Sequence, residues 1–358
     1  MGVFNKAKTK LYAKMHLMQR ILIVKTSSLG DVIHCLPVVN DILQHAREAH
    51  IDWVVEDLFA DIPRLHPHLN QVFTVAVRRW RKTLFSQKTW QEIFEVKHLI
   101  QQNQYDAIID PQGLLKSALI AKQAYGVKHG YDKNSIREPL ASWFYDKKYH
   151  ISYQQHAVTR NRALVAMCLG YAPPTDAPNY GIEKHGISIK NNGAATLMDV
   201  SLQAYPRIPQ LGGACIIALH GTSRDSKLWP IENWVGLGKL LAQKNLNLVL
   251  PWANEVEFKR ANEIAKQLQN ASVLPKLSIA ELAGVISDSE AVIGVDTGLS
   301  HLAAALNIPT IAIYTNTDPE FTGVMPSIEK NAINLGGKGQ IPSIDAVFQH
   351  TIALINLE

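Results

Sequence analysis

Cysteine is scarce in this sequence, and it contains no long hydrophobic run. The 358 residues include only Cys35, Cys168 and Cys215, which are far apart and show no paired spacing. The absence of paired cysteines argues against a disulfide framework or a cysteine-based zinc site and fits a reducing cytoplasm. No stretch reaches the roughly 18 uninterrupted apolar residues that a membrane-spanning helix needs, so no transmembrane segment is predicted.

Several motifs of nucleotide and metal enzymes are also missing. The sequence has no Gly-x-x-x-x-Gly-Lys-Ser/Thr loop and no Gly-x-Gly-x-x-Gly after a strand, which argues against an NTPase and a nicotinamide enzyme. It has no Asp-x-Asp and no His-Glu-x-x-His, so a bound diphosphate would rely on protein groups rather than on a metal. The aspartic-protease tripeptide Asp-Thr-Gly occurs once, at residues 296–298, whereas a protease dyad needs two carboxylates.

Negative charge is absent from residues 1–18, which contain Lys6, Lys8, Lys10 and Lys14. The chain has a formal charge of +5, from 36 Lys and Arg against 31 Asp and Glu, and without these four lysines 32 basic residues face 31 acidic ones. The remaining chain is nearly neutral, which argues against nucleic-acid binding. Residues 1–18 are predicted to be a basic extension, either disordered or an amphipathic surface helix.

The apolar pattern indicates two successive α/β domains, because short apolar runs alternate with amphipathic helices. The predicted strands are residues 21–25, 51–56, 71–77, 105–110 and 126–132 in the first half, and 215–220, 246–251, 290–295 and 309–314 in the second. The predicted helices include residues 32–46, 90–102 and 114–124, then 234–243, 256–268 and 279–286, and a closing helix capped by Ser343.

A proline-rich stretch separates the two halves. Residues 171–180 contain three prolines, and proline at this density favours an extended linker. We therefore predict a first doubly wound domain at residues 19–172, a linker at 173–180, a second doubly wound domain at 181–342 and a C-terminal helix at 343–358. The two domains are expected to face each other across a cleft, with ligands near the carboxyl ends of the strands.

Two features that follow strands of the first domain are candidates for chemistry. Asp31 follows the first strand and Gly30, at the start of a helix, where it is either a helix cap or a general base. The basic run RRWRK at residues 78–82 is either a solvated charged loop or a surface for an acidic, phosphorylated or membrane-borne substrate.

Two polar segments of the second domain suit an anion. Residues 221–230 follow a strand and supply the hydroxyls of Thr222 and Ser223 and the cations of Arg224 and Lys227. Residues 296–301 follow another strand and begin a helix, whose free amide groups attract anions, with His301 in its first turn. Either segment alone is compatible with an ordinary polar loop, and a lone histidine is more often structural. Together they predict a diphosphate site that needs no metal.

These segments resemble glycosyltransferase family 9, the bacterial ADP-heptose–lipopolysaccharide heptosyltransferases. The resemblance extends from Gln19 to Thr322 and rests on ILIVKTSSLGDVIHCLP, RRWRK, IIDPQGLLKSA, REPLASWFY, KLWP, LPW and VDTGLSHLAAAL. It implies the GT-B fold of two Rossmann-like domains. It also implies inverting transfer of L-glycero-D-manno-heptose from ADP-heptose to the Kdo of Kdo-lipid A, in lipopolysaccharide core synthesis at the cytoplasmic face of the inner membrane. ADP-heptose would be the co-substrate, with no cofactor and no metal.

The resemblance further implies roles for individual residues. Asp31 is similar to the family's general base, which deprotonates a Kdo hydroxyl. The residues that would hold the donor are Thr222, Ser223, Lys227, Glu257, Leu277, Asp296, Thr297, Gly298 and His301. Among them, Glu257 is implied at the ribose, Leu277 at the adenine and Asp296 at the sugar hydroxyls. The residues that would face the anionic acceptor are Arg78, Arg79, Arg81 and Lys82.

Two alternatives and two departures accompany this resemblance. A heptosyltransferase II or another family 9 transferase would share the donor but use a different acceptor, and a non-catalytic module would bind the nucleotide sugar only. The chain has Leu277 where methionine is common in the family, and Thr315-Asn316 where Gly-Pro is common.

Overall fold

The structure, a computed structural model, describes residues 20–182 and 214–356. These residues form two compact units, the first ending at Asp176 and the second beginning at Ala177. Each unit is built on a six-stranded sheet with helices. The predicted basic extension at residues 1–18, the start of the predicted second domain and the last two residues of the predicted closing helix lie outside the described residues.

The first unit contains a parallel sheet. Its strands are β1 (Arg20–Val24), β2 (His50–Glu56), β3 (Leu69–Val75), β4 (Gln104–Asp110), β5 (Tyr125–Tyr131) and β6 (Lys147–Tyr149). Its helices are α1 (Leu29–Ile33), α2 (Pro37–His45), α3 (Asp61–Arg64), α4 (Val77–Trp80), α5 (Gln87–Gln101), α6 (Leu115–Gln123) and α7 (Ala157–Leu169). The strand order is β3-β2-β1-β4-β5-β6, and all pairs are parallel. The order reverses beside β1 and β4, where doubly wound sheets bind ligands.

Burial explains why β1 lies at the centre of this sheet. Its residues 21–24 are fully buried and apolar, as expected for a parallel strand covered on both faces. Helices α5 and α6 cover the same face, because Ile93 of α5 and Ile120 of α6 pack against one cluster that includes Leu22. Elsewhere in the unit, Arg162 of α7 forms a buried ion pair with Asp41 of α2, with Nε 2.8 Å from Oδ2.

The second unit repeats this architecture. Its strands are β7 (Ala214–Leu219), β8 (Leu246–Leu250), β9 (Ala271–Val273), β10 (Ala291–Val295), β11 (Thr310–Tyr314) and β12 (Ala332–Gly336). Its helices are α8 (Ile231–Ala242), α9 (Glu255–Ala265), α10 (Ile279–Ser287), α11 (Gly298–Ala305) and α12 (Ile344–Leu354). The strand order is β12-β11-β10-β7-β8-β9, again wholly parallel. The reversal here lies beside β7 and β10.

The closing helix α12 confirms its prediction in detail. Ser343 is the N-cap, and its side chain accepts a hydrogen bond from the amide of Ala346. Val347 is fully buried in the core of the second unit, and Ile344 and Phe348 pack against the same core. These apolar side chains therefore join α12 to the core of the second unit.

Two sequence predictions at the start of the first unit are wrong in detail. The helix predicted over residues 32–46 is interrupted, and α2 begins at Pro37. Proline has no amide hydrogen and its ring clashes with the preceding turn, so it is tolerated at a helix start but not within one. The strand predicted over residues 71–77 ends at Val75, and part of the RRWRK loop forms α4, with Trp80 buried in the core.

Strands β6, β9 and β12 and helices α3 and α7 were not among the predicted elements. Strands β6, β9 and β12 lie at sheet edges, and two of them have three residues each. Short, half-exposed edge strands carry a weak apolar signal, which is why the pattern did not reveal them. Helix α7 buries residues around much of its circumference, so its sequence lacks one clear polar face.

None of the helices formed by residues 20–182 and 214–356 is both long enough and apolar enough to cross a membrane.

Candidate active site

Asp31 occupies the third position of α1, at the carboxyl edge of the first sheet. Its Oδ2 accepts hydrogen bonds from the Ser28 amide at 2.9 Å and from the Ser28 hydroxyl at 2.8 Å. Ser28 is therefore the N-cap, and Asp31 completes the capping box. The side chain is partly exposed, so the cap fixes the orientation of the carboxylate without burying it.

The segments that follow β1 and β4 are tied together by a glutamine. Gln112 Oε1 accepts hydrogen bonds from the Thr26 amide at 2.6 Å and from the Thr26 hydroxyl at 2.9 Å. Lys116, at the start of α6, donates to the Ser27 hydroxyl at 2.6 Å. These contacts bring Lys116, for which no role was predicted from the sequence, to the segment that carries Asp31.

Both acidic and basic side chains influence the charge of Lys116. Burial lowers the pKa of its ammonium, and the carboxylates of Glu56 and Asp31 raise it while Arg78 and Arg81 lower it. Charged side chains from three other segments thus interact electrostatically with Lys116. The signal that could have identified this lysine is its place just after a strand, at the start of a helix, within IIDPQGLLKSA.

A buried carboxyl group organises the loop after β4. Asp110 Oδ1 accepts from the amides of Gln112 and Gly113, and its Oδ2 accepts from the Tyr145 hydroxyl at 2.7 Å. Burial raises the pKa of Asp110, and the hydrogen bond from Tyr145 opposes that rise. Asp110 therefore holds the backbone that presents Gln112 to Thr26.

The basic residues predicted at the acceptor divide into two groups. Arg79 is 2.8 Å from Glu92 and 3.9 Å from Asp57, so neighbouring acids already compensate its charge. Hydrogen bonds from Trp80 and Arg79 lower the pKa of Glu92. Arg78, Arg81 and Lys82 are exposed, and Arg78 lies 5.2 Å from the centre of the Phe59 ring.

Lys227 and Asp296 meet at the carboxyl edge of the second sheet. The Lys227 ammonium lies 2.6 Å from Asp296 Oδ2, and both side chains are mostly buried. Asp296 Oδ2 also accepts a hydrogen bond from the Thr317 hydroxyl, and the Asp296 carbonyl accepts one from Thr222 at 2.9 Å. The segments after β7, β10 and β11 are therefore joined around one carboxylate. This places Asp296 as the partner of Lys227, a contact that the sequence did not reveal.

The remaining predicted anion groups occupy different environments. Thr297 is the N-cap of α11 and Gly298 its first residue, as the sequence predicts. Ser223 is exposed in the segment after β7, whereas His301 is buried within α11. The helix start and Lys227 thus supply free amide groups and a cation at the same sheet edge.

The loop after β11 makes contacts with the segment after β7 that were not predicted from the sequence. The Thr315 hydroxyl donates to the Ser226 carbonyl at 2.9 Å, and the Asn316 side chain donates to the Ser226 hydroxyl at 3.0 Å. This loop departs from the family's Gly-Pro pattern, yet it holds the segment that carries Lys227. Its position directly after a strand was the available signal.

Glu257 lies against the backbone that follows β7. Its Oε2 accepts from the Ala253 amide at 2.7 Å, and a methyl group added to Gly221 would lie 2.8 Å from its Cγ. His220 Nε2 donates to the Pro251 carbonyl at 3.1 Å, and burial lowers the pKa of this histidine to about 4. A neutral histidine therefore joins the segments after β7 and β8.

Leu277 lies one segment further along the same edge. It is half-buried between β9 and α10, in the loop whose Leu274 carbonyl accepts a hydrogen bond from the Trp252 indole at 2.7 Å. Within the described ranges, no group of three or more His, Cys, Asp or Glu side chains could hold a metal ion.

Comparison with known proteins identifies the family. The profile of glycosyltransferase family 9 (heptosyltransferase) matches residues 93–348. The chain is also 41% identical to lipopolysaccharide heptosyltransferase 1 of Escherichia coli strain K12, over 92% of this chain and 100% of that protein. The chain belongs to glycosyltransferase family 9. It is therefore a glycosyltransferase enzyme, and the alternative of a non-catalytic module is set aside.

Other family 9 proteins show the same relationship. Lipopolysaccharide heptosyltransferase 1 of Pseudomonas aeruginosa is 40% identical, over 85% of this chain and 81% of that protein. The solved structure of E. coli heptosyltransferase WaaC with ADP matches with a TM-score of 0.81 at 41% identity, over 92% of this chain and 98% of that one. E. coli heptosyltransferase II shares the fold, with a TM-score of 0.69 at 18% identity, over 95% of this chain and 99% of that one. The fold of this family 9 member is accordingly of the predicted α/β, GT-B class.

The Tyr145–Asp110 contact gives a test of how this family 9 site is supported. Tyr145→Phe removes the hydroxyl that donates to a buried carboxyl group, and we expect it to lower the free energy of unfolding by about 1–3 kcal/mol. Chemical denaturation measures this change. Tyr125→Phe is the control, because Tyr125 is exposed, and it should leave the midpoint unchanged. Equal midpoints for the two variants would contradict a supporting role for Asp110.

Proposed function

We propose that this family 9 enzyme transfers L-glycero-D-manno-heptose from ADP-heptose to a Kdo hydroxyl of Kdo-lipid A, with inversion. The reaction would belong to lipopolysaccharide core synthesis at the cytoplasmic face of the inner membrane and would use no metal or cofactor. The names of the relatives support the acceptor class, and E. coli WaaC has been solved with ADP-2-deoxy-2-fluoro heptose, matching with a TM-score of 0.78 at 41% identity, over 92% of this chain and 98% of that one.

The proposal divides the chain by substrate. Residues 19–172 would bind the acceptor and residues 181–342 the donor, with a linker at 173–180 and the closing helix at 343–358. The candidate general base lies in the first unit and the candidate diphosphate groups lie in the second. Transfer would therefore need both units.

The single observation that carries the proposal is the cluster around Lys227 and Asp296. Negative charge grows on the diphosphate as the bond between it and the sugar breaks, so fixed donors aimed at its oxygens stabilise the transition state selectively. The Lys227 ammonium, the Ser223 hydroxyl and the amides that begin α11 are donors of this kind. Asp296 already holds Lys227 in place, which reduces the reorganisation needed when the donor binds.

The remaining donor residues would hold the nucleoside and the sugar. Glu257 lies beside Gly221, where its carboxylate would accept hydrogen bonds from the ribose hydroxyls. Leu277 would pack against the adenine, and Asp296 would contact the sugar hydroxyls in addition to Lys227. His301 is buried, so its contribution would be to position the start of α11 near the diphosphate.

Asp31 would act as the general base. Its carboxylate would take the proton of the Kdo hydroxyl as the new bond between that oxygen and the anomeric carbon forms and ADP departs. Inversion is a single displacement, so one base suffices and no enzyme nucleophile is needed. Arg78, Arg81, Lys82 and Lys116 would attract the acceptor's acidic groups, and Arg79 would contribute less because Glu92 already pairs with it.

The deciding experiment combines the purified protein with ADP-heptose and Kdo-lipid A. We expect mass spectrometry to show an acceptor heavier by one heptose. A parallel reaction on an acceptor that already carries the first heptose separates this activity from that of a heptosyltransferase II. Product only on the preheptosylated acceptor would contradict the proposal and favour the alternative.

Asp31→Asn tests the base. The amide oxygen can still accept from Ser28, so the helix cap should persist, while the side chain can no longer take a proton. We expect turnover to fall at least ~100-fold, the usual size of general-base effects, with the dissociation constant for ADP unchanged. Ser28→Ala is the matched control, since it removes the hydrogen bond from the Ser28 hydroxyl and leaves both the bond from the Ser28 amide and the carboxylate. Near-normal turnover in Asp31→Asn would remove Asp31 from the mechanism.

Lys227 and Asp296 can be tested as a pair by calorimetric titration with ADP. Lys227→Met should weaken ADP binding by about 10- to 100-fold, because it removes a charged donor and leaves Asp296 unpaired near the phosphates. Adding Asp296→Asn should restore part of the affinity, because the repelling charge is then gone. Lys239→Met, on the exposed face of α8, is the control. Unaltered affinity in Lys227→Met would refute a phosphate role.

A further inference from the structure

An exposed apolar surface lies beside the basic residues of the first unit. We call it the ledge and define it by Leu84, Phe85, Trp90 and Phe94, all of which are exposed. Most of the exposed large hydrophobic side chains among the described residues belong to this unit rather than to the second. Single exposed apolar side chains are ordinary, but several adjoining ones mark an interaction surface.

The loop of the ledge is held in shape by hydrogen bonds. The Trp90 indole donates to the Leu84 carbonyl at 2.8 Å, and the Thr83 and Thr89 hydroxyls lie 2.8 Å apart. Ser86 then caps α5. These contacts turn the chain so that the Phe85 side chain points fully into solvent, with a relative exposure of 106%. Because hydrogen bonds hold this loop in one conformation, the exposure of the phenyl ring is a defined feature of the fold.

Helix α5 extends the ledge along its outer side. Trp90 and Phe94 are four residues apart and so lie on the same side, with ring centres 6.2 Å apart. A neighbouring side of α5, represented by Ile93 and Ile100, packs in the core. The helix thus packs one apolar stripe against the sheet and leaves a second, neighbouring stripe largely exposed to solvent.

Positive charge surrounds the ledge. Residues 78–97 contain six Lys and Arg against Glu92 and Glu95. Arg81, Lys82 and Lys88 are exposed on the same loop and helix start as Phe85. Aromatic and leucine side chains bordered by Lys and Arg are typical of surfaces that enter the headgroup region of an anionic bilayer.

We infer that the ledge docks the enzyme on an anionic lipid membrane, with Phe85 and Leu84 inserted among the acyl chains and Lys88 at the headgroups. The charge favours this occupant over a second copy of the chain, because two such basic surfaces would repel each other. The ledge deepens the proposed function and rests on it for the relevance of a membrane, since a lipid acceptor would be presented at the bilayer surface next to Arg78 and Arg81.

Vesicle sedimentation tests the ledge with the full chain and without donor or acceptor. Vesicles of phosphatidylethanolamine with phosphatidylglycerol should bind the protein, and phosphatidylcholine vesicles should bind it far less. Phe85→Ser should weaken the first interaction about tenfold, from the loss of one buried phenyl ring. Lys88→Gln should weaken it about fivefold, the usual effect of one lysine near an anionic surface. The controls are Ile341→Ser and Lys239→Gln. They replace an exposed apolar side chain by serine and an exposed lysine by glutamine in the second unit.

Three results of the vesicle assay would overturn the inference. They are absence of binding to anionic vesicles, equal binding to phosphatidylcholine, and equal binding by Phe85→Ser and Ile341→Ser. Self-association without vesicles that Phe85→Ser abolishes would also overturn it, because a second copy would then cover the ledge. Thermal unfolding of Phe85→Ser at the midpoint of the unaltered protein confirms that its fold is intact.

Activity separates failure of the ledge from failure of the proposed function. On an acceptor analogue without acyl chains, Phe85→Ser should match the unaltered protein. On acceptor embedded in anionic vesicles it should lose activity in proportion to its lost binding. If the unaltered protein transfers no heptose to the soluble analogue, the proposed function fails, while the sedimentation result still decides the ledge.

Discussion

Parallel strand pairing is the constraint on which both candidate sites depend. In the first unit β1 pairs with β4, with Ile23 opposite Ile109, so the segments that follow the two strands leave the sheet side by side. Gln112 can then bond Thr26, and Lys116 can reach Ser27. In the second unit β10 lies between β7 and β11, which brings Asp296 between Lys227 and Thr317. Each site is therefore a consequence of strand order at the reversal of a doubly wound sheet.

Charge compensation decides how these sites behave before a ligand binds. Lys227 is paired with Asp296 and Arg79 with Glu92, whereas Arg78 and Arg81 are exposed. A paired cation is held in position, but its partner's negative charge opposes an incoming anion. The candidate site of the second unit thus has a modest net charge and a cation that is already held in position. The amides at the start of α11 lie at the same sheet edge as Lys227. The first unit instead offers an open basic surface, suited to attracting an acidic acceptor from solution or from a bilayer.

The strands that hold the catalytic candidates were predictable because they are central and continuously apolar. Residues 21–24, 216–219 and 291–295 are almost wholly buried, and burial on both faces leaves an uninterrupted apolar run in the sequence. The edge strands β6, β9 and β12 escaped prediction, because short and partly exposed strands have no such run. The break before α2 could have been predicted from Pro37, since proline at that position excludes a continuous helix.

The sequence by itself determined the fold class, because apolar periodicity is a local property. Its motifs resembled a known family, and that resemblance supplied most of the candidate groups. The sequence also placed Asp31 and the Thr297–Gly298 helix start directly after strands. Only the tertiary structure decided the partners. The pairing of Lys227 with Asp296, the approach of Lys116 to Ser27 and the full exposure of Phe85 depend on strand order and on loop hydrogen bonds. Such contacts join residues far apart in the chain, and the spacing of residues in a sequence does not specify which distant segments become neighbours.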